Sequence, residues 1–315
     1  DVNLSNLVSD EIATGASISL GDAGTKLTLN AADVVRDAVT VTGGSGTDTI
    51  ATSGITGTMR VASTGVEAYS VSLLETDTDS SLAASILEFR DTSGVVDLDL
   101  AIKADGTGSQ AADIDETLQI SNLANGATVS FGGADTNGTD YGITSGDSTT
   151  IDAAITGATS INIDNVGAAG AVTIEDLNLG STYTTVEVSG EVASTAFTVD
   201  AMTGTGLTGI SVNNNTTASA GTLTVSAITA TSTDTLSVDS TKGAVTLSNL
   251  GTMNSLETLT VNTGVAASGG KTTITAGTST SVDTITASGT GAFEITDLTA
   301  ASLDNINASG VTGTV

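Results

Sequence analysis

The chain reads as an all-β protein, a parallel β-solenoid with right-handed coiling and a repeat of about 24 residues per coil. Two recurring apolar series and a composition suited to a thin core predict it. The first series comes from Ala171–Leu177 (AVTIEDL), Ala196–Met202 (AFTVDAM), Thr222–Ile228 (TLTVSAI), Ala244–Leu250 (AVTLSNL) and Ala292–Leu298 (AFEITDL). Most of these place apolar residues at i, i+2 and i+5. Alternation gives a strand with one buried face, and the longer step marks a bend. The leading members Val172, Phe197, Leu223, Val245, Thr272 and Phe293 are spaced by 25, 26, 22, 27 and 21. The second series, Ile161, Val186, Ile210, Leu236, Leu259, Ile285 and Ile306, is spaced by 25, 24, 26, 23, 26 and 21. Two independent series with one period mark stacked repeats. The coil at Thr272–Gly277 is degenerate, with Ile274 alone clearly apolar.

The composition agrees. Aromatics make up 2% of the 315 residues, and Pro, Cys, His and Trp are absent. The apolar residues are mainly Val, Ile, Leu and Ala, which suit a narrow core between closely spaced pleated sheets. A wide globular core would use large aromatics. Mean hydropathy is positive, at +0.23, which argues against disorder despite the high charge. Between the strands, stretches such as Thr203–Thr208 (TGTGLT) hold too much Gly and Thr for a crossover helix. Successive strands must therefore stack by direct coiling, about 4.8 Å per coil. The hand follows the rule for parallel crossovers.

Before residue 150 the pattern is looser. Leu118–Leu123 (LQISNL) matches the repeat, followed by Val129/Phe131. Leu27/Leu29, Val39/Val41, Met59/Val61, Ile86/Phe89 and Val95/Leu98 are further candidate strands. Short helical turns are expected at Asp10–Ala13, Ala31–Arg36 and Leu82–Arg90. The chain divides into an irregular solenoid region at 1–131, an acidic Gly-rich loop or soft boundary at 132–148, and regular repeats at 149–315. It reads as a mature or trimmed form, or as part of a longer protein.

Thirty-six acids against 7 bases give a net charge of −29, and no base lies between Lys103 and Lys242. Such a surface repels nucleic acid and anionic membranes and attracts divalent cations. No apolar run approaches the roughly 20 residues that span a bilayer. Without His or Cys, catalytic triads and ordinary zinc sites are excluded. Paired carboxylates remain for glycoside hydrolysis. The repeats, however, offer only Tyr183, Phe197 and Phe293 for stacking on sugar, and the last two fall at core positions. The expectation is a protein that is not an enzyme.

Three groups of oxygen ligands point to calcium. Gly43–Ala51 (GGSGTDTIA) fits the glycine-rich nonapeptide GGxGxDxUx, in which turn carbonyls and the Asp carboxylate hold calcium between coils. Asp48 is its candidate ligand; the match occurs once, and an ordinary Gly-rich turn is the alternative. Asp135, Asn137 and Asp140 of DTNGTD suit a hard cation, or an Asx-rich turn. Asp234, Glu257, Asp283 and Asp304 each stand two residues before a second-series apolar residue. They would stack at roughly 5 Å, either solvated or bridged by cations. Thr235/Ser237, Thr258/Thr260 and Thr284/Thr286 form an outward hydroxyl array of the kind ice-binding solenoids present, interrupted at Glu187, Gly209 and Asn305/Asn307.

Gly43–Ala51, Gly65–Ser72 (GVEAYSVS) and Ser255–Val261 (SLETLTV), set in Thr/Ala/Gly/Asp-rich repeats, resemble RTX-type bacterial surface-layer proteins. The resemblance implies secretion by a type I system, a calcium-dependent solenoid and a two-dimensional lattice on the cell surface. By motif only Asp48 carries over. The tandem nonapeptide block and a distinct anchoring domain of that family are missing. The expected function is that of a secreted structural protein that self-assembles into a surface lattice or filament, with calcium as the cofactor. Its partners would be its own copies and cell-surface polysaccharide. The uncharged segment Ala308–Val315 and the segment Asp1–Val8, which alternates as a strand does, would pair head to tail. The alternative is a monomeric β-helical adhesin or a carbohydrate-binding, phage-fibre-like module, with specificity in loops such as 132–148.

Overall fold

A computed structural model of the chain is an all-β, parallel β-solenoid. It describes residues 1–4, 12, 15–30, 34, 39–55, 58–76, 81–82, 86–91, 94–103, 112–132, 148–165, 171–190, 196–216, 221–250, 253–264, 271–275, 281–297 and 302–315. Two sheets stack the coils, one strand to each per coil. Among the described residues the front sheet has 14 strands, from Val2–Asn3 to Asn305–Val311, and the back sheet 12, from Ala16–Ser19 to Ala292–Thr296. Among the described residues every pairing is parallel except Ala68–Thr76 with Ser81–Leu82. Parallel pairing follows from coiling, because each strand meets its neighbour one full coil later.

The apolar series of the sequence are columns of the core. On the front sheet, Leu27, Ile50, Tyr69, Leu98, Val129, Ile163, Val188, Val212, Val238, Val261 and Ala287 stand in register. None of them is more than 2% exposed. On the back sheet, Val172, Phe197, Leu223, Val245, Thr272 and Phe293 form the matching column. Each Val, Leu, Ile or Phe so buried contributes about 1.5–3 kcal/mol. The step from i+2 to i+5 falls inside the single strand Ala171–Leu179, where Glu175 and Asp176 are both exposed between buried Ile174 and Leu177.

The degenerate coil keeps the register. Thr272 takes the column position between Val245 and Phe293, is fully buried, and its hydroxyl hydrogen-bonds the Ser240 hydroxyl. A polar side chain is tolerated in the core when its hydrogen bond is made.

The expected helical turn at Leu82–Arg90 is not formed, for Ile86–Asp91 is a strand of the back sheet. Leu82, Ile86 and Phe89 have helical spacing, but the core takes Leu87 and Phe89 instead. Val34 is helical and buried, and Ile12 lies in a bend; the rest of Asp10–Ala13 and Ala31–Arg36 lies outside the described residues. Both sheets run past the 132–148 stretch. Leu123–Phe131 pairs with Ser160–Asn165, and Ala112–Ser121 with Ser148–Ile155.

At the last strand of the front sheet Ile306 stands in register with buried Ile285 yet is 59% exposed. On the back sheet the amide of Phe293 donates to the Thr314 carbonyl at 2.9 Å.

Candidate functional site

The nonapeptide at Gly43–Ala51 folds as one of three stacked turns. A Cβ on Gly43 would lie 1.7 Å from the Gly65 carbonyl oxygen, one on Gly44 2.5 Å from that of Gly21, and one on Gly46 2.2 Å from the Gly24 nitrogen. The glycines are there because neighbouring coils approach too closely for any side chain. Asp48 is fully buried. Its Oδ1 accepts the Thr25 amide at 2.7 Å and its Oδ2 the Gly44 amide at 2.6 Å. Its own amide donates to Glu67 Oε2 at 2.8 Å. Asp22 Oδ1 accepts the Ser45 amide at 3.3 Å. Both oxygens of Asp48 thus accept hydrogen bonds from the chain's own amides. Glu67 and Asp22 are the partners that the motif alone does not reveal, since they belong to adjacent coils.

Asp234, Glu257, Asp283 and Asp304 stack in four consecutive coils, all exposed. Their backbones show why the column forms. The Asp234 carbonyl accepts the amides of both Glu257 and Thr258, the Glu257 carbonyl those of Asp283 and Thr284, and the Asp283 carbonyl those of Asp304 and Asn305. Thr159, Thr184 and Thr208 hold the same place in earlier coils. There the hydroxyls of Thr184 and Thr208 donate to the preceding carbonyl at 3.0 and 3.2 Å. A carboxylate cannot donate such a bond, so in the acidic coils the side chain is left to water or to a cation. Asp135, Asn137 and Asp140 lie outside the described residues. Among the described residues no group of three or more acids has a metal-holding arrangement.

Hydroxyl rungs tie the turns more widely. Thr182 donates to the Ala158 carbonyl, Thr233 to Leu207, Ser232 to Thr205 and Ser255 to Thr231. The abundance of Thr and Ser is therefore partly structural.

A depression of about 310 Å³ lies on the outer face of the front sheet. Ser160, Asn162, Thr185, Glu187, Ser211, Thr235 and Ser237 line it with Gly126 and Gly209. Gly209 stands between Thr185 and Thr235 in register, so its missing side chain opens the hollow. Glu187 accepts hydrogen bonds from the Ser189 hydroxyl at 3.1 Å and the Asn213 amide at 3.4 Å. The lining can hydrogen-bond a hydroxylated ligand. Tyr183 cannot stack on one: it is fully buried, and burial pushes its hydroxyl up to about 12.

Two carboxyl environments are perturbed elsewhere. Burial raises Asp99, with Asp97 adding to the effect and the Ser130 hydroxyl opposing it. Burial raises Asp97 as well. Hydrogen bonds from Arg90 and then Arg60 hold Glu88 below its ordinary value, with both contacts at 3.1 Å.

No family model matches the chain, and no curated protein or solved structure matches it.

Proposed function

We propose that this chain is a secreted, non-enzymatic structural protein that self-assembles on a cell surface, as a lattice or a filament, with calcium as the stabilising ion. The observation that carries the reading is the unbroken lateral register from Ser160 to Asn307. On both sheets each coil adds an outward row of hydroxyls, amides and carboxylates about 4.8 Å from the last, varied on the front sheet at Glu187, Gly209 and Asn305/Asn307. A surface built by repetition at one spacing offers similar contacts many times over, which suits extended assembly rather than a single binding event. The exposed column Asp234–Glu257–Asp283–Asp304 is where calcium relieves like-charge repulsion, within one rod or between two. Electron microscopy and sedimentation of the protein, with calcium and with a chelator, test the reading. Extended assemblies that dissolve on chelation support it. Monomers at high concentration with calcium present overturn it.

The hollow at Glu187 favours a second reading, a polysaccharide-binding adhesin. Its hydroxyl, amide and carboxylate lining suits a sugar chain. Retention on insoluble polysaccharide that Gly209→Val abolishes would favour it.

A further inference from the structure

We propose that the outer face of the back sheet, over the coils from Thr222 to Thr296, is the surface on which a second copy of the chain docks side by side. The inference rests on the assembly reading and names where the lateral contact falls.

Three observations place it there. First, the face is made largely of small residues. Thr224, Thr246 and Thr273 form an outward ladder in register, preceded by Thr173 and Thr198 in the earlier coils and ended by Glu294, with all five threonines half-buried. Ala244 and Ala292 stand in the neighbouring row with Thr222 and Lys271. Second, the face carries no uncompensated charge. Its charged side chains from Thr222 to Thr296 are Lys271 and Glu294, and these two form an ion pair. Third, the front sheet of the same coils has the opposite character, with Asp239 on its face and Asp234, Glu257, Asp283 and Asp304 exposed along its edge.

The partner follows from electrostatics. Two rods of net charge −29 repel wherever their acids face each other. Stacked sheets sit about 10 Å apart, close to the screening length of about 8 Å at physiological salt. Charges on the facing surfaces are therefore felt, while those on the far sides are screened. A face with no net charge is where a second copy can approach. Small alternating side chains allow two such faces to interdigitate, as in stacked sheets. Four coils of about 4.8 Å and strands of roughly 17 Å give on the order of 300 Å² per partner, below the roughly 800 Å² of a stable dimer. The contact is weak alone and gains strength by repetition in an array.

The test uses the full chain. Thr224→Asp with Thr246→Asp puts two charges on the proposed face; Thr260→Asp with Thr286→Asp puts the same charge on the front sheet. Melting curves confirm that both variants fold. Expected is at least a tenfold rise in the concentration needed for assembly for the back-sheet pair, and less than twofold for the front-sheet pair. Thr224→Lys with Thr246→Lys separates docking from net charge. It lowers the chain's negative charge, yet it too must weaken assembly. A probe independent of charge uses the absence of cysteine: Thr246→Cys should form interchain disulfides in the assembled material under air oxidation, and Thr260→Cys should not. Assembly of the back-sheet variants like the parent chain, or loss of assembly in the front-sheet pair alone, overturns the docking face and leaves the assembly reading intact. A parent chain that stays monomeric overturns both. A parent monomer that binds polysaccharide through Thr224 and Thr246 assigns the face to that ligand instead.

Discussion

The coils on either side of residue 150 share one core but reach it differently. In the earlier half the front-column residues Leu27, Ile50, Tyr69, Leu98, Val129 and Ile163 are spaced by 23, 19, 29, 31 and 34. In the later half Ile163, Val188, Val212, Val238, Val261 and Ala287 are spaced by 25, 24, 26, 23 and 26. The column is continuous through both. Coil length is therefore free to vary, and the register of inward side chains is not. Turns absorb the difference, since an insertion there costs little closure entropy.

The corner of the core shows a second contrast. The inward position two residues after the column is Leu29, Thr52, Val71, Leu100 and Phe131 in the earlier coils. It becomes Asn165, Gly190, Asn214, Ser240, Thr263 and Gly289 in the later ones. The irregular half fills its corner with apolar bulk. It also carries the aromatic pair Tyr69–Phe89, with ring centroids 4.7 Å apart and planes at 61°. The regular half uses hydrogen bonds. Fully buried Asn214 donates to the Ala244 carbonyl at 2.6 Å and the Gly221 carbonyl at 3.3 Å, and accepts from the Thr216 hydroxyl at 2.6 Å.

If packing carries the irregular half, Phe89→Ala should cost about 3–5 kcal/mol in urea unfolding, while Ile163→Val in the regular half costs about 0.5–1.5 kcal/mol. Equal effects would erase the contrast. Asn214→Ala should cost about 2–3 kcal/mol, because it orphans buried carbonyls and the Thr216 hydroxyl. A neutral result would show that the polar corner is incidental. Asp48→Asn should cost about 1.5–3 kcal/mol, by weakening charge-assisted bonds to the Thr25 and Gly44 amides. The loss should appear as faster amide exchange at Thr25 and Gly44, and added calcium should not restore protection.

The smallest effects are in pH dependence, and they carry opposite signs. Asp99 is raised in the fold, so the native state holds its proton more tightly than the unfolded chain. Stability at this site is highest in acid and falls as pH rises through the carboxyl range. Asp99→Asn should raise Tm slightly at neutral pH, with the gain vanishing below about pH 4. Glu88 is lowered, so its contribution is present at neutral pH and lost in acid. Glu88→Gln should lower Tm slightly at neutral pH and match the parent in acid. Both shifts are read from Tm measured against pH.

The regular half is legible in the sequence because its inward residues recur at nearly constant spacing. Val172 to Phe293 and Ile161 to Ile285 fall in the columns the periodicity assigns. In the irregular half, uneven spacing hides the same columns. The strand Ala16–Ser19 carries no periodic mark there. The stacking of Asp234, Glu257, Asp283 and Asp304 is legible, since it needs only the period. The work of Asp48 is not, because it depends on amides 23 residues before and 4 residues before it, and on a carboxylate 19 residues after it. The threonine ladder of the back sheet is periodic too, but outward threonine is expected on any solvated strand, so the sequence alone does not single it out.

The shared carbonyls at the corner from Thr159 to Asp283 bear on how the rod meets mechanical load. Each links two amides of the next coil, so every coil boundary there has a doubled fastening at this corner. Tension along the axis opens a parallel ladder one coil at a time, beginning at an end. Each released coil of about 24 residues lets out roughly 80 Å of chain before the next doubled fastening takes the strain. The rod yields in steps and absorbs work at each one.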